Sequence, residues 1–120
     1  MEVTSRDYLL DDKRIDPTFK RKILATIKAL RAKGYPVVVV EAYRTKARAA
    51  LMKIQKKSLI GSASKHCLGK AADIAFLVNG KISWDVPISY WNALGKSGKS
   101  YGLQWGGDWH RLKDYNHLEL

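Results

Sequence analysis

Apolar positions recur along this chain at two different periods. In DPTFKRKILATIKALRAKG, residues 16–34, Phe19, Ile23, Ile27 and Leu30 fall at helical spacing. Asp16 stands where an N-cap is wanted, Pro17 takes the first helical position, and Gly34 ends the run. The other face carries Lys20, Arg21, Lys22, Lys28, Arg31 and Lys33 and reads as the solvated side of an amphipathic helix rather than a dedicated binding stripe. YPVVVVEAYR, continuous and β-branched, predicts a buried strand ending near Arg44. TKARAALMKIQKK, with Ala47, Ala50, Leu51 and Ile54 along one side, predicts a second helix. KSLIGSASKHCLG has no period and reads as a loop leading into a strand at KAADIAFLV, and Asn79-Gly80 predicts a tight turn into KISW. PISYWNALGKSGKS predicts a third helix weakened by Gly95 and Gly98, and YNHLEL a final strand. Together these elements predict an α+β fold: one domain spanning 1–120, with a small, mainly antiparallel sheet flanked by helices.

Composition narrows what such a domain does. The formal net charge of +11 implies attraction to an anionic partner, either nucleic acid, an acidic membrane surface or the phosphate-bearing polymers of a bacterial envelope. A single cysteine, Cys67, excludes an internal disulfide and a Cys-rich zinc finger. The longest apolar run, around PVVVV, is far short of the roughly 20 residues of a membrane-spanning helix. MEVTSRDYLLDDKR lacks the features of a secretory signal, so synthesis in the cytoplasm is the expectation.

The candidate chemistry centres on two of the three histidines. His66 precedes Asp73, with Gly69, Ala71 and Ala72 between them small enough for close backbone approach. His117 follows Asp114 by three residues, and in a strand it shares a face with Glu119 while Leu118 and Leu120 point to the core. Two histidines and one carboxylate form a zinc site with an open fourth position, which is the hydrolytic rather than the structural arrangement. Such a metal acidifies water and polarises a carbonyl, leaving the chain to supply a base and an anion stabiliser, for which Asp114 and Arg44 are the candidates.

SKHCLGKAAD resembles the Ser-x-His-x-x-Gly-x-Ala-x-Asp signature of the zinc D-alanyl-D-alanine carboxypeptidase and L-alanyl-D-glutamate endopeptidase family, and DYNHLEL resembles its second motif. GLQWGGDW is similar to a segment of the phage endolysins in that group, and EAYRT to the step that ends the family's central strand. The resemblance runs from about residue 17 to the C-terminus. It implies His66, Asp73 and His117 as ligands of one Zn2+, Asp114 as general base and acid, Arg44 as stabiliser of the tetrahedral intermediate, and Ser64 as support for the site. It also implies a peptidoglycan stem peptide as substrate, cut between L-alanine and D-glutamate, by a monomer that reaches the wall through holin-type release. The stretch TKARAALMKIQKKSLIGSA departs from the family pattern and leaves removal of terminal D-alanine as the alternative.

Two other classes remain open at this stage. A basic nucleic-acid-binding module would use the charge, but the basic residues are scattered and no zinc-finger or phosphate-loop motif accompanies them, so no nucleic acid is expected as partner. A metal-binding relative without catalysis would not need Asp114. Among the remaining residues, His110 reads as a surface group and Trp84 and Trp91 as core or hairpin aromatics, while Trp105 and Trp109 are candidates to line a cleft. Asp108 reads as a turn residue, and Glu119 as either a support for a ligand or a solvated terminal group. Cys67, read as a strand neighbour of His66, would point to the opposite face and so form no catalytic pair with it.

Overall fold

The computed structural model describes residues 6–45, 47, 51, 65–110 and 113–120. Helix α1 spans Pro17–Ala32, and its first turn is closed by the Asp16 carboxylate, which accepts the Phe19 N–H at 2.9 Å. Gly34, at φ +91°, lets the chain reverse, so that the Tyr35 N–H returns to the Leu30 carbonyl. Strands β1 (Val37–Glu41), β2 (Ala71–Val78), β3 (Lys81–Ser83), β4 (Gln104–Trp105) and β5 (His117–Glu119) form one antiparallel sheet in the order β1-β2-β5-β4. β3 is hairpinned onto the far half of β2. Asn79 and Gly80, both at positive φ, make the predicted two-residue turn. Helix α2 spans Ile88–Ser100.

Both helices cover the same face of the sheet. Phe19, Ile23, Ile27 and Leu30 of α1 meet Val37, Val39, Ala72, Ile74, Phe76 and Leu118 of the sheet and Trp91 and Leu94 of α2 in one core. Each aliphatic or aromatic side chain buried here contributes roughly 1.5–3 kcal/mol, so this layer, not the charged surface, holds the fold together. The α1 lysines and arginines are solvated as predicted. Lys20 pairs with Asp11 at 3.1 Å and Arg31 with Asp7 at 2.8 Å, exposed contacts of little energetic weight. Gly95, which lowers the intrinsic helicity of α2, has a packing reason: a Cβ there would run into the Trp105 indole.

The predicted α+β class and antiparallel sheet are borne out. The helix predicted over TKARAALMKIQKK falls largely outside the described residues, as does Ser64. Two short 3-10 turns, Asp7–Asp11 and Lys65–Leu68, were not predicted. The second places Cys67 on a tight turn rather than on a strand, so the strand argument about its direction does not apply.

Gly69 follows that turn at φ +68°, and its carbonyl accepts the Asp16 N–H at 2.9 Å, tying the His66 turn to the start of α1. A Cβ at this position would collide with the Arg14 carbonyl. Gly69→Ala is therefore expected to lower unfolding free energy by about 2–4 kcal/mol, read by denaturant titration, through both backbone strain and the clash. A loss below about 0.5 kcal/mol would show that the backbone contact yields freely.

Candidate metal centre and active site

The site lies on the sheet face opposite the helices and is assembled by register. Asp73 is the Cα partner of His117 on one side and of Glu41 on the other, so a single row across three strands reads Glu41, Asp73, His117. A bulge creates half of this row. The register shifts between Val39 and Glu41, and the Arg6 guanidinium satisfies the carbonyls of Val39 and Val40 at 3.1 and 3.2 Å. Without the extra residue, Val40 would oppose Asp73. His66 reaches the row from its 3-10 turn, whose His66 carbonyl accepts the Arg44 N–H at 3.1 Å.

The hydrogen bonds fix both imidazoles. His66 donates Nδ1–H to the Ala42 carbonyl at 2.7 Å and so turns Nε2 to Asp73 Oδ1 at 3.2 Å. His117 donates Nε2–H to Glu119 Oε1 at 2.8 Å and turns Nδ1 to the same Asp73 oxygen at 3.3 Å. In their neutral tautomers, two ring lone pairs and a carboxylate oxygen thus face one another without a proton between them. One ligand atom from each of His66, Asp73 and His117 lies within 4.8 Å of the other two. A cation would resolve that convergence, and the donor set of two imidazoles and one carboxylate fits a divalent metal of the zinc type, with each histidine held through its other nitrogen.

Electrostatics agree with this geometry. Burial alone pushes the Asp73 carboxyl up, but in the metal-free chain, where a proton rather than a cation bridges these atoms, the contacts with His117 and then His66 outweigh it and hold the group well below the usual carboxylate range. Burial likewise disfavours a charged His117, yet its contacts with Asp73 and Glu119 raise its pKa to about 9. The His117 hydrogen bond lowers Glu119, assisted by Lys65, whose Nζ lies 3.5 Å from it. Asp114 moves the other way: burial, and then the charge of Asp73, push it up. A half-buried carboxyl of raised pKa beside a cation site is the environment expected of a proton carrier. Gly106 positions it, because its carbonyl accepts the Asp114 N–H at 3.1 Å and a Cβ there would strike the Asp114 backbone.

Arg44 is only 4 % exposed. Its Nε and one terminal nitrogen engage both oxygens of Glu41 at 3.0 and 3.3 Å, and the same terminal nitrogen lies 3.6 Å from Asp73 Oδ2. The guanidinium therefore lies against the carboxylate of the row. Trp109 is half-buried, with its ring 5.2 Å from that of His117. Glu119 is buried rather than solvated, and its Oε1 accepts the His117 Nε2–H at 2.8 Å.

Two sequence expectations change. Trp105 belongs to the core, donating Nε1–H to the Tyr115 carbonyl, and does not line the cleft. Trp84 is exposed and does line it, together with Trp91 and Asp114. No Cys67–His66 pair forms, because both ring nitrogens of His66 are taken by Ala42 and Asp73. Asp108 lies in a turn as expected and also pairs with Lys99 at 2.9 Å, and His110 is exposed. Sequence reasoning missed Glu41, whose place beside Asp73 depends on the bulge, and Lys65, which no local pattern marks.

The profile of a peptidase M15 family, described as D-alanyl-D-alanine carboxypeptidase, matches residues 60–120. The chain is 34% identical over 122 residues to the peptidoglycan L-alanyl-D-glutamate endopeptidase CwlK of Bacillus subtilis (strain 168), covering 88% of this chain and 73% of the relative. It is 34% identical over 111 residues to the L-alanyl-D-glutamate peptidase of Escherichia phage T5, covering 79% and 81%. The crystal structure of the Serratia marcescens L-Ala D-Glu endopeptidase ChiX superposes with a TM-score of 0.76 at 26% identity, over 100% of this chain and 88% of that one.

Proposed function

Because this chain belongs to the M15 peptidase family, we propose that it is a zinc-dependent hydrolase of the peptidoglycan stem peptide that cleaves between L-alanine and D-glutamate. The observation that carries the reading is the meeting of His66 Nε2, Asp73 Oδ1 and His117 Nδ1, each histidine locked through its other nitrogen, with the raised carboxyl of Asp114 beside them.

His66, Asp73 and His117 hold one Zn2+, which supplies the Lewis acidity that activates water and polarises a peptide carbonyl. Asp114 takes the proton from the attacking water and returns it to the departing amine of D-glutamate. Its raised pKa makes it a better proton acceptor than an ordinary carboxylate. Arg44 keeps positive charge at the buried end of the row, where it steadies Asp73 and offsets negative charge as the carbonyl becomes tetrahedral. Glu41 fixes Arg44 through two contacts, and Trp109 packs against the His117 ring. The protein acts as a monomer at the cell wall, and its net charge of +11 favours residence among anionic envelope polymers.

The test is digestion of purified peptidoglycan by zinc-loaded protein, with mass spectrometry of the products. The expected fragments begin with a new D-glutamyl N-terminus. Release of free D-alanine alone would transfer the reading to the carboxypeptidase activity, and unchanged stem peptides would end it. The hydrogen bond to His117 gives a second expectation: Glu119→Gln weakens zinc binding about 10–100-fold, measured by competition with a chromogenic chelator. Unchanged affinity would show that Glu119 does not tune its ligand.

A further inference from the structure

Asp114 lines a cleft of about 510 Å³ whose other walls are Trp84, Trp91, Lys113, Tyr115 and Asn116. Its aromatic lining is only partly spent on the fold. Trp91 is buried in the core, stacking edge-on with Phe76 at 5.1 Å, whereas Trp84 is 49 % and Tyr115 37 % exposed. Trp84 follows strand β3 at the mouth of this cleft and is absent from the core cluster. An indole half bare to water in the cleft that Asp114 also lines offers an apolar face to a ligand.

We propose that Trp84 and Tyr115 form a saccharide subsite that receives the amino-sugar ring carrying the stem peptide, an inference that rests on the peptidase reading above. The L-alanyl and D-glutamyl residues at the scissile bond present a methyl group and an acidic chain, neither of which calls for an indole. The amine of that alanine, however, is acylated by the lactyl arm of a sugar, so a pyranose lies one residue from the bond that Asp114 serves. The C–H face of a pyranose is apolar while its rim is polar. An exposed aromatic face flanked by Lys113 and by the amide of Asn116 matches both properties. Asp114 and Trp84 line the same cleft, which links the subsite to the residue that serves the scissile bond.

The experiment compares two defined substrates, the free peptide containing the L-Ala-D-Glu bond and the same peptide bearing N-acetylmuramic acid on its alanine. Trp84→Ala is expected to lower kcat/KM for the muramoyl peptide about tenfold or more, mainly through KM, and to leave the free peptide within about twofold. Trp84→Phe should recover most of the loss, and a thermal midpoint near that of the unsubstituted protein is expected because the side chain lies outside the core. Equal losses on both substrates would place the peptide, not the sugar, on Trp84 and overturn the subsite. No loss on either would overturn it as well. Unsubstituted protein that cleaves neither substrate would instead overturn the peptidase reading, and the subsite with it.

Discussion

Asp114→Asn is expected to lower kcat about 10²–10⁴-fold while leaving zinc content at one per chain, the loss that follows when a positioned proton carrier is removed. The separation between binding and turnover comes from the geometry. The three groups that converge are on His66, Asp73 and His117, and Asp114 joins them only through its charge and its place in the cleft. Asparagine preserves shape and cannot carry the proton. Stability should move the other way. Burial and the neighbouring Asp73 raise the Asp114 pKa in the folded chain above its unfolded value, so the ionised group opposes folding increasingly as pH rises past the usual carboxylate range. In chelated protein at neutral pH, Asp114→Asn is therefore expected to melt at the same temperature as the original or higher. Turnover within about threefold of the unsubstituted enzyme would assign the base elsewhere, and simultaneous loss of zinc would make Asp114 a ligand.

The residues that bear this chemistry were legible for a local reason. In β5 the period of two sends Leu118 into the core and keeps His117 and Glu119 together, so the alternation in YNHLEL states which groups share a face. Helix α1 announces itself in the same way through Asp16, Pro17 and the apolar stripe. What stayed hidden depends on events between strands. Glu41 would be assigned away from Asp73 by simple alternation, and only an extra residue at Val40, with its carbonyl taken by Arg6, brings it opposite. The tryptophans mislead for a related reason. Trp105 ends β4 and Trp84 follows β3, and composition does not tell which one a helix covers. Gly95 decides it, because its missing Cβ lets α2 settle on Trp105, while among the described residues no glycine makes such room against Trp84, which stays 49 % exposed.

Zinc-stripped protein is expected to be most stable between about pH 4 and 6.5, and to lose on the order of 5 °C in thermal midpoint as pH climbs from there toward about 9. His117 sets the upper limb. Its folded pKa of about 9 exceeds the ordinary 6.5, so the bridging imidazolium between Asp73 and Glu119 contributes fully below the unfolded value and is lost as pH rises through the folded one. Asp73 sets the lower limb. Its carboxyl is depressed by the two histidines, so its contribution is present above the ordinary value of 3.8 and fades as pH falls below it. Zinc changes the upper limb because it takes the place of the proton on His117 Nδ1. Metal and proton compete for that nitrogen up to the folded pKa of about 9, and the proton's hold weakens with each step of pH toward it. The difference in midpoint between zinc-loaded and chelated protein should therefore widen steadily from about pH 5.5 through 7 to 8.5, and His117→Ala should abolish most of it. A difference that stays constant across that range, or survives the substitution, would mean that the stabilising metal sits somewhere other than between His66, Asp73 and His117.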